Sequence, residues 1–81
     1  MKEWILAFND AKVLETNGAP SAAIINAYEA VLKNLYFPHL TLPEIHVWNE
    51  ACRNLVELYD LEGDTEKAEH YRQQMRAEEG D

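Results

Sequence analysis

A single cysteine, Cys52, stands among the 81 residues, so no disulfide can close within the chain and a disulfide-stapled secreted scaffold is excluded. No apolar run approaches the roughly 20 residues that a membrane-crossing helix needs. The opening MKEWILAFNDAK is broken too soon by Asn9 and Asp10 to read as a signal peptide, and a cytoplasmic chain is the expectation. Basic residues are scarce: seven Lys and Arg face fifteen Asp and Glu, for a formal charge of −8. The shortfall sits in the second half, where residues 41–81 carry eleven acids against Arg53, Lys67, Arg72 and Arg76. Affinity for nucleic acid rests on Lys and Arg displacing counterions from phosphates, so direct nucleic-acid binding is disfavoured. An acidic surface suits a basic protein partner, or a decoy that imitates nucleic acid; it also serves solubility alone.

Glycine and proline are sparse as well, three of each, which makes their positions informative. NGAP at 17–20, PHLTLP at 38–43 and EGDT at 62–65 cut the chain into four segments with helical spacing and no alternating strand pattern. With 47% apolar residues the chain has enough to fold as one domain over 1–81. The first helix is expected over 2–16, with Trp4, Ala7, Phe8, Ala11 and Leu14 on one stripe. The second has Pro20 in its first turn and runs to about Tyr36, presenting Ile24, Tyr28, Val31 and Leu35 beside a line of small residues. Thr41 or Leu42 leads into the third, whose stripe is Ile45, Trp48, Cys52, Leu55 and Tyr59. Asp64 is the expected N-cap of a fourth helix that has only Ala68, Tyr71 and Met75 on its apolar face. The fold class is therefore all-α, four helices as two antiparallel helical hairpins.

Within ELYDLEGDTEKAEHYRQQMR and the turn before it, residues 52–75 resemble a degenerate tetratricopeptide repeat, a helix–turn–helix unit that binds proteins. Leu55 and Tyr59 match the packing residues of its first helix, Gly63-Asp64 its turn, and Ala68 the small residue where its two helices cross. Tyr71 falls one position before the usual aromatic, and Val56 and Met75 replace residues that are normally small. The first half fits the same frame with Ala11, Gly18, Ala23 and Ala30. The turn glycines lie 45 residues apart, whereas tandem repeats of that family recur about every 34. The resemblance implies a shallow concave face lined by Asn9, Lys12, Glu15, Glu50, Arg53, Asn54 and Glu57, better suited to a basic peptide than to a carboxylate. It also implies that self-association or a partner supplies a missing neighbouring repeat.

Catalytic chemistry finds little support. His46 and Glu50 share a helix face and could meet one metal ion, yet with Arg53, Glu57 and Asp60 they form a continuous solvated stripe. Asp60, Glu62, Asp64 and Glu66 crowd one turn, but counting from Asp60 puts Tyr71 where a calcium loop needs its twelfth-position Glu, and these acids suit the positive end of a helix. Cys52 lies on an apolar stripe, where a thiol is inert. No phosphate-binding loop or nucleophile–base spacing occurs, and the expectation is a non-enzymatic protein without cofactor or metal.

The connection LYFPHLTLP gathers Leu35, Tyr36, Phe37, Leu40 and Leu42 around a chain break. These residues either seal the end of the bundle or expose an aromatic anchor for a partner. Two functions follow. One is an adaptor or assembly factor, including a homodimer, that holds another protein through Tyr36, Phe37, Leu40 and the hairpin surface around Arg53. The other is a small acidic inhibitor of the phage anti-defence or immunity type, blocking a basic site with Glu57, Asp60, Glu62 and Asp64.

Overall fold

The computed structural model describes residues 3–36 and 38–76, which form four helices. They are α1 (Glu3–Thr16), α2 (Ser21–Asn34), α3 (Leu42–Leu61) and α4 (Thr65–Gln74). No strand occurs among the described residues. The chain is all-α, as its spacing predicts, and α1 pairs with α2, α2 with α3, and α3 with α4.

Both hairpins turn in the same way. Gly18 and Gly63 take the left-handed conformation, φ 71° and φ 80°, just past the ends of α1 and α3. At each, the next residue bonds back to the last turn of the helix: Ala19 N donates to Leu14 O at 3.0 Å, and Asp64 N to Tyr59 O at 2.9 Å. The glycines themselves donate to Glu15 O and Asp60 O. This closes the otherwise orphaned carbonyls of each helix and folds the following one back alongside.

The helix starts have distinct causes. Thr41 accepts from the Glu44 amide, while the Thr41 amide donates to Glu44 Oε1 at 2.8 Å, a reciprocal capping box with Pro43 inside the first turn. Asp64 caps α4 by accepting from the Lys67 amide at 3.1 Å, as expected. Pro20 differs from expectation: its ψ of 146° is extended, so it precedes α2 and its carbonyl accepts the first helical bonds from Ala23 and Ile24. The second helix also stops sooner than expected, at Asn34. Leu35 divides its amide between Val31 O and Leu32 O, and Pro38 has no N–H with which to prolong the ladder.

The core lies along α2 and α3. Ile24, Ile25, Tyr28, Val31, Leu32 and Leu35 are buried from the first hairpin; Trp48, Ala51, Cys52, Leu55 and Tyr59 meet them from the second. Only Ala11 of α1 and Ala68 of α4 are fully covered, so these outer helices pack by a narrow stripe. Small residues at those two points let each outer helix approach its neighbour closely. Ion pairs and hydrogen bonds tie α1 to the rest: Lys12 pairs with Glu50 of α3, and Tyr28 donates to Glu15 Oε1 at 2.8 Å.

Candidate functional site: a groove between α2 and α4

Glu29, Leu32 and Lys33 follow one another at helical spacing on α2, and Tyr36, just past the end of the helix, extends the same edge of the first hairpin. Opposite them stand His70, Tyr71 and Gln74 of α4, and Trp48 of α3 closes the space between. The groove has a volume of about 350 Å³. It opens beside Tyr36, a residue 75% exposed whose ring lies 6.4 Å from that of Trp48.

Inside the groove a carboxylate is held by two phenols. Tyr59 and Tyr71 each donate to Glu29 Oε2 at 2.8 Å. Their rings stack at 5.8 Å between centroids and 5° between planes, which brings both hydroxyls to one oxygen. Burial pushes the Tyr59 hydroxyl up to about 12, with the hydrogen bond to Glu29 and the carboxylate's charge adding to the rise. Tyr71 is raised well above the ordinary tyrosine range, again chiefly by burial and then by Glu29. Both phenols therefore remain donors at neutral pH. A carboxylate has about four lone-pair sites and the tyrosines occupy two, so acceptor capacity is left over.

The end of the groove is shaped by the residues that follow α4. Met75 leaves the helix with φ −63° and ψ 144°. Asn49, only 3% exposed, donates to Arg76 O at 2.6 Å and accepts from Arg76 N at 2.8 Å. Trp48 Nε1 donates to Gln74 O at 2.7 Å, and the Arg76 guanidinium lies 4.6 Å from the centroid of the Trp48 ring. A second hollow of about 320 Å³, lined by Tyr36, Pro38, Gln74 and Arg76, continues past this point.

The sequence-predicted residues fall in separate places. Tyr36 stands at the groove mouth; Phe37 lies outside the described residues. Leu40 packs against the core and Leu35 is fully buried, so those two seal the end of the bundle, while Leu42 stays half exposed. Arg53 and Glu57 are exposed on α3, and Glu50, one turn before Arg53, is taken by Lys12 of α1. Asp60 is 3.5 Å from Arg72, which also bonds Glu69 at 2.7 Å. Glu62 is exposed at the end of α3, and Asp64 is committed to capping α4. Cys52 is buried, and burial pushes its thiol up to about 12 against a smaller opposing pull from Arg76. Among the described residues no three His, Cys, Asp or Glu side chains gather where they could hold a metal ion. No described helix is long and apolar enough to cross a membrane.

Glu29 and Asn49 carry no signal in the sequence reading. Glu29 is one acid on a helix flank, and Asn49 sits beside Trp48 where the stripe predicts packing. The available clue was chemical: Tyr59 and Tyr71 both lie on core stripes, and buried phenols need an acceptor. No protein-family model, curated protein or solved structure matches the chain.

Proposed function

We propose that this chain is a non-enzymatic protein-interaction module that holds another protein at the face where α2, Tyr36 and α4 meet. The observation that carries this reading is Tyr36, an aromatic residue 75% exposed at the mouth of a preformed groove and backed by Trp48. Large exposed aromatics beside a pocket are the usual anchors of protein interfaces. The matching glycine turns of the two hairpins support a repeat-like, tetratricopeptide-type packing, the acidic composition supports a basic partner, and the lone cysteine supports a cytoplasmic setting.

Photo-crosslinking in cells that express the chain tests this reading. A benzophenone side chain replaces Tyr36 in one variant and Val13, an exposed apolar residue of α1, in another. A discrete adduct from position 36 that is absent from position 13 is expected. No adduct at 36, or the same adducts from both positions, overturns the reading.

A second reading, a small acidic inhibitor, is favoured by one corner of the molecule. Glu57, Asp60, Glu62 and Glu66 are all exposed where α3 ends and α4 begins. Binding through this corner would fall steeply with salt and disappear when these four are neutralised. Asp64 is left intact in that test because its loss would weaken the cap of α4 by about 1 kcal/mol.

A further inference from the structure

We infer that the groove between α2 and α4 takes a cationic side chain, an arginine or lysine presented by a segment of a basic partner protein, and that Glu29 is the group that receives it. The inference rests on the interaction-module reading and adds the chemistry of the ligand.

Three observations converge. Glu29 is fixed in place by two phenolic hydroxyls on one oxygen, so its carboxylate needs little ordering when a cation arrives. The neighbouring walls are aromatic and apolar, Tyr71, Trp48, Tyr36 and Leu32, which suit the stem of Arg or Lys and the flat face of a guanidinium. Trp48 is 2% exposed and already carries Arg76 over its ring at 4.6 Å, so it forms the floor of the groove, and an entering guanidinium meets Tyr71 and Tyr36. Charge adds to the match, because a formal charge of −8 draws cationic segments toward the molecule.

Lys33 lines the same groove and opposes this charge, so the two groups have to be weighed. Lys33 is exposed, and its ammonium sits on a flexible stem that can extend into water. Glu29 is half-buried and pinned. The preorganised group sets the sign of the ligand, and Lys33 weakens binding that would otherwise be tighter. A groove that received a carboxylate would show the opposite dependence on these two residues.

The test is an NMR titration of the full chain with three blocked tripeptides, acetyl-Gly-Arg-Gly-amide, its Lys analogue and its Gln analogue. The Trp48 indole N–H and the Leu32 and Tyr71 amides are followed. Saturable shifts with the Arg and Lys peptides, and none with Gln, are expected. Glu29→Gln keeps an acceptor for the tyrosines and should weaken binding about tenfold, the loss of one charge-assisted hydrogen bond. Lys33→Gln, at an exposed site that leaves folding intact, should tighten binding severalfold. Equal shifts with the Gln peptide, no saturable shift, or weaker binding in Lys33→Gln overturns the inference. If Glu29→Gln does not fold by circular dichroism, the Lys33→Gln result and the Gln-peptide comparison decide. A crosslink at position 36 without any response to the cationic peptides overturns the ligand chemistry alone. Failure of that crosslink overturns the module reading.

Discussion

Glu29 and Tyr71, 42 residues apart in the chain, meet at 2.8 Å through a hydrogen bond that fastens the last helix to the second. Tyr59 donates to the same oxygen, so one carboxylate joins α2, α3 and α4. Glu29→Ala leaves two phenols without their acceptor, Tyr59 almost wholly buried. The expected loss is about 2 kcal/mol, the cost of stranding buried donors and removing charge-assisted bonds. A urea midpoint that falls accordingly, with little change in slope, checks it. A midpoint within error of the unsubstituted chain would mean the tyrosines find other acceptors.

The same phenols make stability depend on alkaline pH. Tyr59 is raised from an ordinary 10.0 to about 12, and Tyr28 and Tyr71 are raised as well, each mainly by burial and then by a carboxylate neighbour. For an acid whose folded pKa is raised, the folded chain holds its proton where the unfolded chain has released it. Unfolding then releases protons, and stability falls as pH rises. The contribution is complete below about 10 and drains away as pH climbs from there through 12. Thermal midpoints at pH 8, 10 and 11 should fall steeply only over the last step. Tyr71→Phe should flatten that fall. Midpoints that hold between pH 10 and 11 would show that the phenols ionise freely in the folded chain.

Helix existence and most of the core were legible because they follow from local pattern. The Ile24–Leu35 and Trp48–Tyr59 stripes and the Gly18 and Gly63 turns are each encoded within a few residues; the Thr41–Glu44 box is as local, but the spacing alone left Thr41 or Leu42 open as the start of α3. The end of α2 was read too late because the apolar stripe continues through Leu35 to Tyr36, and hydrophobic periodicity does not register where backbone bonding stops. The groove was only half legible. Tyr36 stood out as bulk beside a break, but Glu29 gains its role from tyrosines 30 and 42 residues away. The polar stripe of α3 also read as self-contained, whereas Glu50 pairs with Lys12 and Asp60 with Arg72, both from other helices.

The turn between α3 and α4 gives a prediction about backbone. Gly63 has φ 80°, and a Cβ there would meet no atom within 4 Å, so Gly63→Ala introduces backbone strain without a clash. The cost is about 1 to 2 kcal/mol, that of holding an L-residue in the left-handed region. Gly63→Asn should recover much of it, since Asn tolerates that conformation. Thermal unfolding of the two variants side by side is the check. Equal midpoints would mean the turn relaxes to another geometry.

Asn49 makes the sharpest prediction because its side chain serves a backbone that no helix supports. It bonds both the N–H and the carbonyl of Arg76, past the end of α4, while Trp48 takes the carbonyl of Gln74. Asn49→Ala removes both bonds to Arg76 and leaves α4 and the core stripe untouched. The Arg76 amide should then exchange with solvent at least about tenfold faster, since an opening free energy lower by 1.4 kcal/mol has that effect. Global stability should fall by less than the Glu29→Ala loss, because a local opening carries most of the change. Asn49→Asp separates the two bonds: it keeps an acceptor for the Arg76 N–H but loses the donor to the Arg76 carbonyl. Arg76 protection in that variant should lie between the other two. If Asn49→Ala leaves Arg76 exchange unchanged, the tail is held by Trp48 and the guanidinium contact alone, and the side-chain clamp contributes nothing.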